Sequence, residues 1–277
     1  MSQFTMNTSH LSGTLFNEYK NEILKKPDHY YRDFQSVFTQ MASSNAKYKG
    51  EVIDFLYQPF FLLDEDMIRL QALSKTLTRI LEKTIDQYLE EPDFRSFFPF
   101  SKELEDLILV DPGYKARAPM ARYDIFYSHD DSYKFCELNG DGTSAMNETN
   151  TLENIFLDSQ IMGYFKDKYK LSYGELFYSW VKEMLSINHE FGGSDTPNVA
   201  IVDFEGLGTP EDFKVFQQVF MEKGCKTIIT DPRSLVYQKG KLFYKDFRID
   251  LVYRRAVTRD LINKSDQIQD FIQAYKD

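Results

Sequence analysis

The chain has 277 residues, 42% of them hydrophobic and 27% charged, with 24 Phe and 18 Tyr. That is enough apolar side chain for one large core or two ordinary ones, and it excludes disorder as the main state. Thirty-three basic and 43 acidic side chains leave a formal charge of −10, a balance that repels phosphate backbones and disfavours a nucleic-acid partner.

The two cysteines, Cys136 and Cys225, cannot build a disulfide framework, a structural zinc site or a C-x-x-C pair. They fit a reducing compartment, most simply the cytoplasm. Met1–His10 is polar and carries no apolar export core. The longest apolar stretch, Phe55–Leu63, includes Tyr57, Gln58 and Pro59 and falls short of the ~20 residues a spanning helix needs. No membrane association is expected.

The first hundred residues read mainly as helix. Leu15–Leu24, Tyr30–Met41 and Glu65–Leu89 place apolar residues three and four apart. In the last of these, Met67, Leu70, Leu73, Leu77, Ile80, Leu81 and Ile85 form one stripe, expected to face the core, with Asp64 as N-cap. Strand character begins near Ala121. Arg122–Ser128 and Tyr133–Asn139 alternate around the polar link His129–Ser132, a common hairpin length. Gly140–Ser144 is a small-residue loop. Glu148–Met162 reads as helix with Asn147 as cap, and a second helix runs from about Tyr173 to Ile187. Gly192-Gly193-Ser194 is the best linker.

Beyond the linker the grammar changes. Asn198–Phe204 is a continuous apolar strand, Pro210–Lys223 an amphipathic helix and Lys226–Thr230 a strand. Together they make a β-α-β unit and imply a small parallel sheet. Leu235–Tyr237 and Leu242–Tyr244 form a hairpin across Lys239-Gly240, Ile249–Tyr253 is a further buried strand, and Asp260–Tyr275 is helical. The expected class is α+β or α/β. Residues 1–194 hold a helical region and the hairpin sheet, and residues 195–277 a small Rossmann-like subdomain.

The hairpin carries the chemistry. If it closes over residues 129–132, Ser128 faces Tyr133, Phe126 faces Phe135, Asp124 faces Glu137 and Arg122 faces Asn139, all on one side. Tyr123, Ile125, Tyr127, Cys136 and Leu138 occupy the other side, which is expected to pack on the core, with Cys136 as a small core residue. Opposed carboxylates destabilise a sheet by a few tenths to about 1 kcal/mol when exposed. They repel by about 4 kcal/mol at ~4 Å and an effective dielectric near 20. Arg122 can offset part of that repulsion, and a divalent cation offsets it better. Asp124, Glu137, the Asn139 amide and Asp141 are all oxygen donors, which favours Mg²⁺ or Ca²⁺ over zinc.

Three readings stay open on spacing alone: a solvated polar face, a Mg²⁺ site shared with phosphates, and a calcium loop. For the last, Glu137, Asn139, Asp141, Gly142 and Glu148 fall on EF-hand positions one, three, five, six and twelve. Glu at position one, Ser144 at position eight and the strand character upstream weigh against it.

Arg122-x-Asp124 followed by Glu137-x-Asn139-x-Asp141 resembles the signature of glutathionylspermidine synthetase-like enzymes, which are circularly permuted ATP-grasp carboxylate–amine ligases. The resemblance implies that Asp124, Glu137 and Asn139 coordinate the Mg²⁺ that binds ATP phosphates. It implies that Arg122 stabilises the phosphoryl group in transfer, and that Thr143 and Ser144 lie in the loop that meets the acyl substrate. Gly142 stands where close relatives carry a serine. The segment from about Asn198 is similar to the pre-ATP-grasp subdomain, and Arg254 and Arg255 at its strand end are candidates for carboxylate binding.

The substrates implied are a small-molecule or peptide carboxylate and an amine. Family members are longer, with ATP-binding lysines after the strand that ends near Arg255, so a partner chain carrying the ATP half is an expectation. The histidines, His10, His29, His129 and His189, are scattered and form no H-E-x-x-H or triad pattern. His129 is expected to be solvated in its turn.

Overall fold

A computed structural model of the chain describes residues 8–48, 50–127 and 132–277. In chain order the elements are α1 (Thr8–Lys25), α2 (Pro27–Ser43), α3 (Asp64–Glu90), α4 (Pro92–Arg95) and α5 (Lys102–Ile108). Then come strands β1 (Arg122–Tyr127) and β2 (Tyr133–Asn139), and helices α6 (Met146–Leu157), α7 (Gln160–Lys166) and α8 (Phe177–Glu190). The remainder is β3 (Val199–Val202), α9 (Pro210–Glu222), β4 (Thr227–Thr230), β5 (Val236–Gln238), β6 (Lys241–Tyr244), β7 (Phe247–Ile249), β8 (Leu251–Arg254), α10 (Thr258–Asn263) and α11 (Gln269–Lys276). The protein is thus mixed α and β with small sheets. Among the described residues no helix is long and apolar enough to cross a membrane.

Two compact units share the chain. The first takes the chain up to Ile80, Tyr123–Leu138 and Asn147–Gly174; the second takes Leu81–Arg122, Asn139–Met146 and Glu175–Asp277. The Gly192-Gly193-Ser194 segment lies inside the second unit.

The core of the first unit joins Leu15, Tyr19, Tyr30 and Val37 to Phe156, Ile161, Met162 and Phe165. Helix α2 supplies its part because Tyr30, Asp33, Val37 and Met41 recur at helical spacing and are all buried. The acid in that stripe has a use. The Asp33 carboxylate accepts from the Gln160 and Ile161 amides, each at 3.1 Å, and from the Tyr57 hydroxyl. Ser159 accepts from the Met162 amide. These caps start a new helix, so the single helix expected over Glu148–Met162 is two, α6 and α7. Asn147 lies within α6 rather than capping it, and its amide donates to the Asn45 carbonyl at 3.2 Å.

Helix α3 departs from expectation in two ways. The acid that reaches back is Asp66, which accepts from the Leu63 amide at 2.9 Å, while Asp64 is the first helical residue. The apolar stripe is only half covered. None of its seven residues is buried, and Ile80 is 55% exposed. Periodicity shows which face is apolar and not how much packs against it.

The second unit is built on a parallel sheet ordered β4-β3-β8, with Ala200 opposite Ile228 and Val252. All four residues of β3 are buried, as a central parallel strand requires. One sheet face, Val199, Ile201 and Tyr253, meets Phe177, Val181, Phe216 and Phe220 of α8 and α9. The other face, Ala200 and Val202, meets Leu235, Leu242 and Ile249, with Phe271 and Ala274 of α11 packed alongside. The β-α-β unit is therefore as expected.

The β5-β6 hairpin is also as expected. Its two-residue turn, Lys239-Gly240, has φ of 51° and 71°, which the right-handed strand twist favours. The stretch expected as one strand, Ile249–Tyr253, instead divides between β7, in the antiparallel meander, and β8, in the parallel sheet. The break is Asp250, whose carboxylate accepts from the Asn198 amide at 3.1 Å. The helix expected over Asp260–Tyr275 is interrupted by a tight turn at Ser265–Gln267, after which Ile268 is buried.

Candidate functional site

Strands β1 and β2 form a two-stranded sheet. Alternation puts Arg122, Asp124 and Phe126 on one face of β1, and Tyr133, Phe135, Glu137 and Asn139 on one face of β2. Arg122, Asp124 and Asn139 are half-buried and Glu137 is exposed. The turn, Ser128–Asp131 with His129, lies outside the described residues, and so does the pairing of Ser128 with Tyr133.

The apolar side of this ribbon does not pack as expected. Cys136 is exposed rather than a core residue, and Leu138 is 46% exposed. On the other side Phe126 is 70% exposed. Every residue of β2 before Asn139 is exposed. Strand β1 is better held: the Tyr127 hydroxyl donates to buried Asp66 at 2.6 Å, and hydrogen bonding to that carboxylate adds to burial in raising the phenol's pKa.

The loop after β2 belongs to the second unit, where three arginines hold it. Arg122 Nη1 donates to the Ser144 carbonyl at 3.2 Å. Arg255 Nη1 donates to the Thr143 carbonyl. Arg254 Nη1 donates to Asp141 Oδ1 at 2.8 Å, and the Thr258 amide donates to Asp141 Oδ2 at 2.8 Å. Thr143 Oγ1 donates back to the Asn139 carbonyl at 3.1 Å. Gly142 has φ of 66°, and a Cβ there would sit 2.8 Å from Val257 Cγ1 and 3.2 Å from the Arg255 carbonyl. This accounts for glycine at position 142. Ala145 is also left-handed, at φ 71°.

This wiring has an electrostatic consequence. A peptide plane points its C=O and N–H in opposite directions. With the Thr143 carbonyl turned to Arg255, the Ser144 amide points away from it. The amides of Asp141, Gly142, Thr143 and Ser144 donate to no protein acceptor among the described residues. Successive free amides in a turn containing left-handed residues favour an anion.

Arg255 is buried, which sequence reasoning did not separate from half-exposed Arg254. Its guanidinium lies 4.0 Å from buried Asp212, donates to the Tyr253 hydroxyl at 3.2 Å and stacks over the Phe213 and Tyr253 rings. Among the described residues its Nε has no hydrogen-bond partner. Burial, opposed by Arg255, pushes the Tyr253 phenol up to about 12.

The other strand ends of the parallel sheet carry acids that the sequence reading passed over. Asp203 follows β3, and burial raises its carboxyl. Gly208 makes room for it, since a Cβ there would meet Asp203 Oδ2. Asp231 follows β4, where the Arg233 fork holds its carboxyl down to about 2 despite partial burial. An acid directly after a buried apolar strand was the available signal.

Among the described residues no group of three or more His, Cys, Asp or Glu is placed to hold a metal. The set expected from sequence is smaller, two carboxylates and an amide. No family model matches the chain, and no curated protein matches it.

Proposed function

We propose that the chain is an ATP- and Mg²⁺-dependent carboxylate–amine ligase, similar to glutathionylspermidine synthetase-like ATP-grasp enzymes. The observation that carries this reading is the loop Gly140–Ser144. Two of its carbonyls, those of Thr143 and Ser144, are taken by arginines and the amides of residues 141–144 are left for an anion, directly after a hairpin bearing Asp124, Glu137 and Asn139. The donor set is all hard oxygen, which suits Mg²⁺. When bound, Mg²⁺ neutralises charge on the ATP phosphates.

In the proposed reaction an acid's carboxylate oxygen takes the γ-phosphoryl of ATP and ADP leaves. An amine then attacks the acyl carbon, and inorganic phosphate leaves as the amide forms. The protein's part is positioning and charge. Asp124, Glu137 and Asn139 hold the metal, and Arg122 meets charge developing on the phosphoryl oxygens. The loop amides at Thr143 and Ser144 receive the acyl or phosphoryl oxygens.

ADP release, followed with MgATP and panels of small acids and amines, is expected to require Mg²⁺. It is expected to vanish in Asp124→Asn and Glu137→Gln with far-UV circular dichroism unchanged. Wild-type turnover by either variant at limiting Mg²⁺ overturns the metal assignment. Tight Ca²⁺ binding without nucleotide, by isothermal titration, points instead to a calcium loop.

A second reading, a module completed by a partner chain, is favoured by the bare ribbon with Phe126, Phe135 and Leu138 exposed. Mg²⁺ binding without ADP release by the chain alone is the outcome that selects it.

A further inference from the structure

By sequence position Asp141 is the third member of an E-x-N-x-D run and a natural candidate for the metal. Its contacts say otherwise. One carboxylate oxygen accepts from Arg254 Nη1 and the other from the Thr258 amide, both at 2.8 Å. The same Arg254 nitrogen donates to the Ala256 carbonyl at 2.6 Å and reaches Thr258 Oγ1 at 3.4 Å. Next door, Gly142 is pressed against Val257 and the Arg255 carbonyl. Asp141 therefore ties the loop to the segment that leaves β8; each oxygen keeps a second lone pair, but the two bonds hold the carboxylate toward that segment.

We infer that Asp141 is a positioning residue and not a metal ligand. With Arg254 it forms a clasp that sets the loop so that the Thr143 and Ser144 amides face an incoming anion. The functional half of this inference rests on the ligase reading; the clasp itself does not. All of Arg254's contacts here come from one nitrogen, so a lysine ammonium with its three donors can reproduce most of them. Asp141→Asn and Arg254→Gln remove the pair from either side.

The test uses the full chain with Mg²⁺ alone and inorganic phosphate alone as probes, together with hydrogen exchange at the Thr258 amide. In Asp141→Asn and in Arg254→Gln, exchange at Thr258 is expected to quicken and phosphate affinity to fall, each by about tenfold, the scale of one charge-assisted hydrogen bond. The double variant is expected to add little to either single one, and Arg254→Lys to recover most of the loss. Mg²⁺ affinity is expected to stay unchanged in all of them and to be lost in Asp124→Asn.

A fall in Mg²⁺ affinity in Asp141→Asn matching that in Asp124→Asn overturns the inference, because Asp141 is then a ligand. Unchanged exchange at Thr258 removes the clasp. Faster exchange with phosphate affinity intact removes the positioning role. A wild-type chain that binds no Mg²⁺ counts against the ligase reading alone, since the exchange measurement involves no metal.

Discussion

Two aspartates at neighbouring strand ends have opposite linkage to pH. The Arg233 fork holds the Asp231 carboxyl near 2, below its ordinary 3.8. Its stabilising contribution is present above about pH 4 and is lost as pH falls toward 2. Asp231→Asn is expected to lower the melting temperature at pH 6 and to leave it unchanged at pH 2. Asp203 behaves in the reverse sense, since burial raises its carboxyl. Its ionised form costs stability at neutral pH, and that cost fades as the group protonates on acidification. Asp203→Asn, which keeps an oxygen for the Phe204 amide, is expected to raise the melting temperature at pH 7, with the gain disappearing toward pH 4. Gly142 makes a third point at this scale. Serine there combines a left-handed backbone with a collision at Val257. Gly142→Ser is expected to cost about 1–3 kcal/mol in urea unfolding, and a neutral result removes the explanation offered for glycine at this position.

At the scale of elements, what holds α7 in place is a side chain 127 residues away. Asp33→Ala leaves the Gln160 and Ile161 amides without their acceptor. It is expected to cost about 2–3 kcal/mol, the range for buried donors left unsatisfied, with faster hydrogen exchange across Gln160–Lys166. The same example shows where the sequence was legible. The apolar runs that became α1, α2, β3, α9 and the β5-β6 turn could be read locally, because each follows from side-chain period and turn chemistry. The breaks at Ser159, Asp250 and Ser265–Gln267 could not, because tertiary partners set the first two and a buried Ile268 follows the third. Exposure was equally hidden: alternation told the faces of β2 apart but not that residues on both faces are exposed. For the candidate site, the loop and the arginine pair were each visible in the sequence. That Arg254 meets Asp141 across 113 positions was not.

At the scale of the whole molecule the two units differ in how their cores are built. The second has a fully buried central strand with aromatic side chains stacked on it, and it holds the chain's single tryptophan, Trp180, beside Phe216 and Tyr253. The first exposes much of its apolar ribbon and half of the α3 stripe. Tryptophan fluorescence therefore reports the second unit alone, whereas far-UV circular dichroism reports both. In urea the dichroism is expected to begin falling before the fluorescence changes, giving non-coincident transitions. Superimposed curves contradict independent unfolding of the units.

The chain passes between its units at residues 80–81, 122–123, 138–139, 146–147 and 174–175. During synthesis, everything the first unit uses has left the ribosome once Gly174 emerges. The helices and loop that the second unit takes from residues 81–122 and 139–146 must wait for the strands beyond Asn198. Those waiting segments include the arginine-held turn itself. A nascent chain stalled before β3 would carry Asp141 with no Arg254 to meet it, and a chaperone that shields exposed apolar surface would find its target there.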